Sequence, residues 1–194
     1  MTLSIEWNAE GRRSIRLMHE AMRVLGPAGF GRVGARVTNR VGDMARTQVR
    51  RALPLQTGLP RRIIVRAVHT HRASASSLAY TMTAHGGRIA LKHFKARETR
   101  RGVSAAPRGE RQIFAGTFMK GGRFPNRVAF SMGGHVFERT GGGRLPIEKV
   151  KSDVSIPEEM ASGATADAFD RTARRVFPQR LRHEIGRATG RVFS

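Results

Sequence analysis

The hydrophobic period of this chain changes twice along its length, and that limits the folds open to it. Up to residue 53 apolar side chains recur every three or four positions. Ile15, Met18, Met22 and Leu25 make one stripe; Phe30, Val33, Val37, Val41, Met44 and then Val49 or Leu53 make a second. Such spacing puts each set on one face of a helix. From residue 69 the period becomes two: Leu78, Tyr80 and Met82 alternate with Ala79, Thr81 and Thr83, as in a half-buried strand. Later the helical period returns, with Phe169, Ala173, Phe177, Leu181 and Ile185 four apart. The expected fold class is therefore α+β: N-terminal helices, a central antiparallel β-sheet with a long basic hairpin arm, and a C-terminal helix packed on the sheet.

Punctuation sets the element limits. Asn8 is placed to cap a helix over 8–25, which Gly26-Pro27 ends. A second helix runs over 28–52, and Pro54 is expected to stop it. Residues 60–68 fit a short helix or a strand, because Ile63, Ile64 and Val65 are β-branched. Gly86-Gly87 reads as a hairpin turn, with Ile89, Leu91 and Phe94 opening the next strand. Residues 112–120 and 127–140 are further strand candidates, the latter from the alternation Val128, Phe130, Met132 and from Val136-Phe137; Gly121-Gly122 and Gly133-Gly134 are turn sites. Ser155-Ile156-Pro157-Glu158-Glu159 has the form of a helix start, with proline in the first turn and acids beside the helix dipole. The last helix spans 166–188 and is expected to kink or split at Pro178. The length fits one domain, 1–194, with N-terminal helices at 8–53, a β-rich core at 69–155 carrying the arm 95–111, and C-terminal helices at 157–190.

Charge gives the next constraint. The 36 basic residues, 31 of them arginine, exceed the acids by 22. Such a field attracts polyanions, nucleic acid first. Residues 95–111 carry Lys95, Arg97, Arg100, Arg101, Arg108 and Arg111, and are the candidates to face DNA. Over 148–170 the balance reverses. Glu148, Asp153, Glu158 and Glu159 there, facing Arg123 and Arg127, are the candidate intersubunit contacts, since opposite fields on two segments suit head-to-tail association. With one Trp and one Tyr no aromatic stacking platform is expected, so DNA contacts would be to phosphates and without sequence choice. No apolar run spans a membrane, and Met1–Glu10 lacks the pattern of a signal peptide.

Catalytic chemistry finds no footing. Neither a Gly-x-Ser-x-Gly elbow nor a phosphate-binding Walker loop occurs. Gly26-Pro27-Ala28-Gly29-Phe30-Gly31 follows a helix instead of a strand and reads as a hinge. His69 and His71 share a strand face, but spacing fixes no further metal ligand, and cysteine is absent. No catalytic, metal or cofactor residues are expected, and the chain reads as a non-enzyme.

Four phrases carry a resemblance. They are Leu91-Lys92-His93-Phe94-Lys95-Ala96-Arg97, Arg101-Gly102-Val103-Ser104, His135-Val136-Phe137-Glu138-Arg139 and Arg144-Leu145-Pro146-Ile147. In order and spacing they are similar to the prophage minor tail protein Z family of tailed bacteriophages, over about residues 12–185. Thr57-Gly58-Leu59 is also similar to the wider group of tail-completion and head–tail joining proteins. The resemblance implies a structural virion protein, assembled in the host cytoplasm, at the head-proximal end of the tail. There it would join tail tube to neck around the DNA channel. It implies a homo-oligomer, a hexameric ring by family analogy, with tail terminator, tail tube or neck proteins as partners and DNA held through phosphates. The alternative is a non-specific, salt-dependent nucleic-acid-binding protein acting as a monomer. An enzyme would differ from both in having a deep pocket with perturbed titration.

Overall fold

The computed structural model describes residues 1–5, 12–129 and 131–190. The expected cap Asn8 and the strand residue Phe130 lie outside the described residues, as does the side chain of Ile15. Helices and small antiparallel sheets make an α+β fold, built around one long N-terminal helix.

Strand β1 (Thr2–Ile5) precedes helix α1 (Arg12–Thr57). Gly26 breaks α1 with φ 66° and ψ 171°, at the expected Gly-Pro hinge. Beyond the hinge the apolar stripe faces inward: Val37, Val41, Val49 and Leu53 are fully buried. Each such side chain contributes about 1.5–3 kcal/mol relative to exposure. Pro54 does not stop the helix, contrary to expectation. A proline removes one backbone bond, but Leu53 and Thr57 are both fully buried, and the last turn continues to hold them inside. The true stop is Gly58 at φ 76°, where the Thr57 hydroxyl accepts from Leu59 N at 3.2 Å.

The ambiguous stretch resolves as helix α2 (Arg61–Ala67) running into strand β2 (Val68–His71). Strand β3 (Tyr80–Ala84) buries Tyr80, Met82 and Ala84, as its alternation predicts. It is the centre of a sheet of order β1-β3-β2. Gly86-Gly87 is therefore not a hairpin turn: both edges of β3 are already paired, and the chain leaves to form β4 (Arg88–Ala90) elsewhere.

After a 3-10 turn at Leu91–His93 come β5 (Arg97–Thr99), β6 (Gly102–Ala105) and, past a second 3-10 turn, β7 (Gln112–Ala115), which form one meander. The segment 95–111 is thus a hairpin, but not a projecting arm. All of β6 is buried, with Val103 and Ala105 at 0% exposure, so the apolar half of the hairpin is core. Two short ribbons follow: β8 (Lys120–Gly121) with β9 (Val128–Ala129), and β10 (Phe137–Arg139) with β11 (Ile147–Lys149). The described members of the 128–132 alternation are not buried: Val128 is 71% and Met132 39% exposed. Strand β12 (Lys151–Ser155) returns to pair with β4, and α3 (Ile156–Met160) begins where Ser155-Ile156-Pro157 predicts.

Helix α4 (Gly163–Ala188) is continuous through Pro178 and is not split. It packs along α1, its principal neighbour, and not on a sheet as expected. The reason is its stripe: Phe169, Leu181 and Ile185 match the buried valines of α1, which offer a longer apolar surface than any of the two- or three-stranded sheets.

Tyr80 joins helix to sheet. Its hydroxyl donates to Asp43 Oδ1 at 3.1 Å, and Asp43 also pairs with Arg46 and Arg72 at 3.2 and 3.0 Å. Burial, with the Asp43 charge and hydrogen bond behind it and Arg46 opposing, pushes the phenol up to about 12 from 10.0. A raised folded value leaves stability intact below the unfolded value and removes it as pH climbs from about 10 to about 12. Tyr80 is the one tyrosine, so tyrosinate absorbance reads it alone. The folded protein is expected to titrate near pH 12, and Asp43→Ala to bring that midpoint down.

Candidate nucleic-acid interface

The expected DNA-facing residues do not stay together. Arg108, at φ 54°, stays at the surface and pairs with Asp153 and with Glu159, the latter at 2.7 Å. The hydrogen bonds it donates to Asp153 and then to Glu159 hold its guanidinium above the ordinary arginine value. Arg111 donates to Ser104 Oγ at 3.0 Å and to the Lys95 carbonyl at 3.4 Å, lacing the meander across its back. Lys95 and Arg97 are exposed and line neither of the two hollows that Arg100 enters. Only Arg100 and Arg101, on the β5–β6 turn, enter a shared basic site.

That site is a hollow of about 220 Å³ with a contiguous one of about 570 Å³; Arg100, Gly122 and Arg127 line both. Its cations are Arg100, Arg101, Lys120, Arg123 and Arg139. None of these five forms an ion pair among the described residues. Arg127 also lines it, but its charge is matched by Glu98, whose side chain is 9% exposed. Glu98 Oε2 accepts from Met119 N at 3.2 Å, so this one carboxylate fixes the approach to β8 against β5.

Local sequence explains the shape. Gly102 has φ 146°, and a Cβ there would lie 2.1 Å from the Phe114 carbonyl oxygen; only glycine lets β6 meet β7 at this height. Thr117 closes the turn, donating to Phe114 O at 2.7 Å and accepting from Val103 N at 3.0 Å. Phe118 and Phe137 exchange backbone bonds of 2.9 and 2.8 Å, which brings β10 to the rim. Arg139 then lies over the Phe118 ring, 5.2 Å from its centre. Glycine-rich backbone beside unpaired arginines suits an anionic group approaching closely.

A second junction ties the same region down. Lys92 Nζ donates to Gly133 O at 3.1 Å and to His135 Nε2 at 2.8 Å. Nε2 is then the acceptor, so the ring proton sits on Nδ1, which is buried and has no partner among the described residues. Burial and the charge of Lys92 hold His135 below its usual value.

Of the expected intersubunit residues, Arg127, Asp153 and Glu159 are engaged within the chain. Glu159 also receives Gln56 Nε2 at 2.7 Å. Glu148 and Glu158 are exposed, and Arg123 lines the hollow. Sequence reasoning missed Lys120 and Arg139. Lys120 adjoins a glycine pair and was open to notice; Arg139 enters only through the Phe118–Phe137 bridge, for which no local signal exists. His69 and His71 are exposed on β2, and among the described residues no group of three His, Asp or Glu side chains is placed to hold a metal ion. No described helix is long and apolar enough to cross a membrane.

Replacing Arg100, Arg101 and Lys120 together by glutamine is expected to weaken binding to duplex DNA. The slope of log K against log salt should fall by about 2.7, at about 0.9 per phosphate contact. Titrations at several salt concentrations check this.

Comparison with family models, with curated proteins and with solved structures finds no match to this chain.

Proposed function

We propose that the chain is a minor structural protein of a tailed-bacteriophage virion. It acts at the head-proximal end of the tail, joining tail tube to neck around the DNA channel. The observation that carries this reading is that the phrases resembling minor tail protein Z are spatial neighbours. Lys92 reaches His135, Arg101 and Gly102 line the hollow together with Arg139, and Phe137–Arg139 pairs with Ile147–Lys149. A motif set dispersed by the fold would give the resemblance no structural unit to describe.

In this role the hollow faces DNA, and its arginines hold phosphates without reading bases. A hexameric ring, by family analogy, sets Arg123 of one copy against Glu148 or Glu158 of the next. Tail terminator, tail tube or neck proteins cover its faces. The protein is assembled in the host cytoplasm and resides in the virion, and it has no catalytic task. The unpaired arginines equally favour a second reading, a monomeric, salt-dependent nucleic-acid binder.

Light scattering at low and high salt, with and without tail tubes of the same phage, separates the two. A discrete oligomer, alone or on the tube, supports the joint. A monomer that ignores the tube yet binds DNA supports the second reading.

A further inference from the structure

Helix α4 carries arginines that neither the hollow nor the virion reading uses. Arg171, Arg175, Gln179 and His183 follow one another at intervals of four and form one row along the helix. Arg174 and Arg180 flank the row. Together with Met44 and Gln48 of α1 they line two open clefts of about 700 and 400 Å³ that share Arg175.

Arg171, Arg174, Arg175 and Arg180 make no ion pair among the described residues. Asp167 and Asp170 lie one turn before Arg171 and Arg174 and form no ion pair with any of the four among the described residues. Glu184, the remaining acid of this helix, pairs with Arg36 at 3.1 Å and lies 3.7 Å from His183 Nδ1 at the end of the row. Below the row, Phe169, Val176, Leu181 and Ile185 are buried against the rest of the fold, so the guanidinium groups stand on a fixed support.

We propose that the α1–α4 cleft binds the phosphate backbone of double-helical nucleic acid. The chemistry is that of forked arginine donors on phosphate oxygens, with the four arginines in no ion pair among the described residues. From Arg171 to His183 the row rises about 18 Å, the axial length of about five base pairs of duplex at about 3.4 Å each. The lining argues against two other occupants. Its apolar members are Met44, Ala168 and Val176, with no aromatic anchor of the kind that centres a protein interface. The same lack removes the stacking platform a single strand requires. The site shares no lining residue with the β5–β8 hollow, so the chain offers nucleic acid two separate surfaces.

The test is equilibrium binding of a fluorescent duplex to the full chain over a range of salt. Arg171→Gln/Arg174→Gln/Arg175→Gln is expected to lower the salt slope by about 2.7, in addition to the loss from the hollow variant. Arg171→Lys/Arg174→Lys/Arg175→Lys should keep most of the slope. All three side chains are exposed, and unchanged circular dichroism and melting verify the fold. An unchanged slope in the glutamine variant overturns the proposal. So does tighter binding of single strands, or binding of poly-glutamate that matches the duplex and is lost in the same variant. The readout is on purified protein, so failure of the virion reading leaves this result standing, and the reverse.

Discussion

Gly42→Ala is expected to cost the fold about 3 kcal/mol, the upper end of ordinary overpacking penalties. A Cβ at position 42 would lie 2.3–2.5 Å from three ring carbons of Tyr80, well inside van der Waals contact. Neither side can yield cheaply. Tyr80 is fully buried and its hydroxyl is fixed on Asp43, while Gly42 lies in the part of α1 whose neighbours Val41 and Ala45 are fully buried. Helix propensity alone predicts the opposite sign, since alanine favours a helix over glycine by about 1 kcal/mol. Gly186→Ala, in α4 with nothing within 4 Å of the added carbon, isolates that term and should raise stability slightly. Thermal melts of both variants decide the matter: at this chain length a loss of 3 kcal/mol lowers Tm by about 6–12 °C.

Glu98→Ala is expected to be as damaging or worse, about 3–5 kcal/mol, because it leaves the arginine of a buried pair without its partner. Arg127 is 18% exposed at its side chain, its Nε is already buried with no partner among the described residues, and Glu98 alone neutralises it. The same substitution frees Met119 N and loosens β8 from β5. Two controls give this number meaning. Asp153→Ala breaks a pair whose side chains are 46% and 62% exposed, and should cost under about 1 kcal/mol. Glu98→Leu/Arg127→Met removes both charges and should be less destabilised than Glu98→Ala alone. Urea denaturation of the four proteins tests this; equal losses for Glu98→Ala and Asp153→Ala would refute it.

The helices were legible because each carries its own explanation. The valines of α1 recur on one face, Gly26 breaks the helix where Gly-Pro stands, and Ser155-Ile156-Pro157 opens α3. The errors arose where a distant partner decides. Pro54 is a stop by its chemistry, yet burial of Leu53 and Thr57 carries α1 past it. Gly86-Gly87 has hairpin composition, but β3 finds its second neighbour in β1, at the start of the sequence, and β4 finds its own in β12. The stripe of α4 was read correctly as apolar, though which surface it meets is a property of α1.

The candidate site divides along the same line. Arg100, Arg101 and Arg123 were visible as charge, and they remain unpaired in the hollow. Arg108 looked the same in sequence, but Asp153 and Glu159, 45 and 51 positions away, neutralise it. Charge counted by segment cannot separate a solvated arginine from one half of an ion pair closed over such a distance. The arginines of α4 are illegible for a related reason: in an amphipathic helix they fall where any solvated polar face falls. Their lack of carboxylate partners becomes visible only when α1 is laid beside them.

The most direct test of the proposed role is a stop codon in this reading frame within the genome that encodes it, followed by induction of any phage that genome carries. The account predicts filled heads and finished-length tails that accumulate separately, joined again when the purified chain is supplied. Wild-type yields of joined, infectious particles lacking the chain would contradict it.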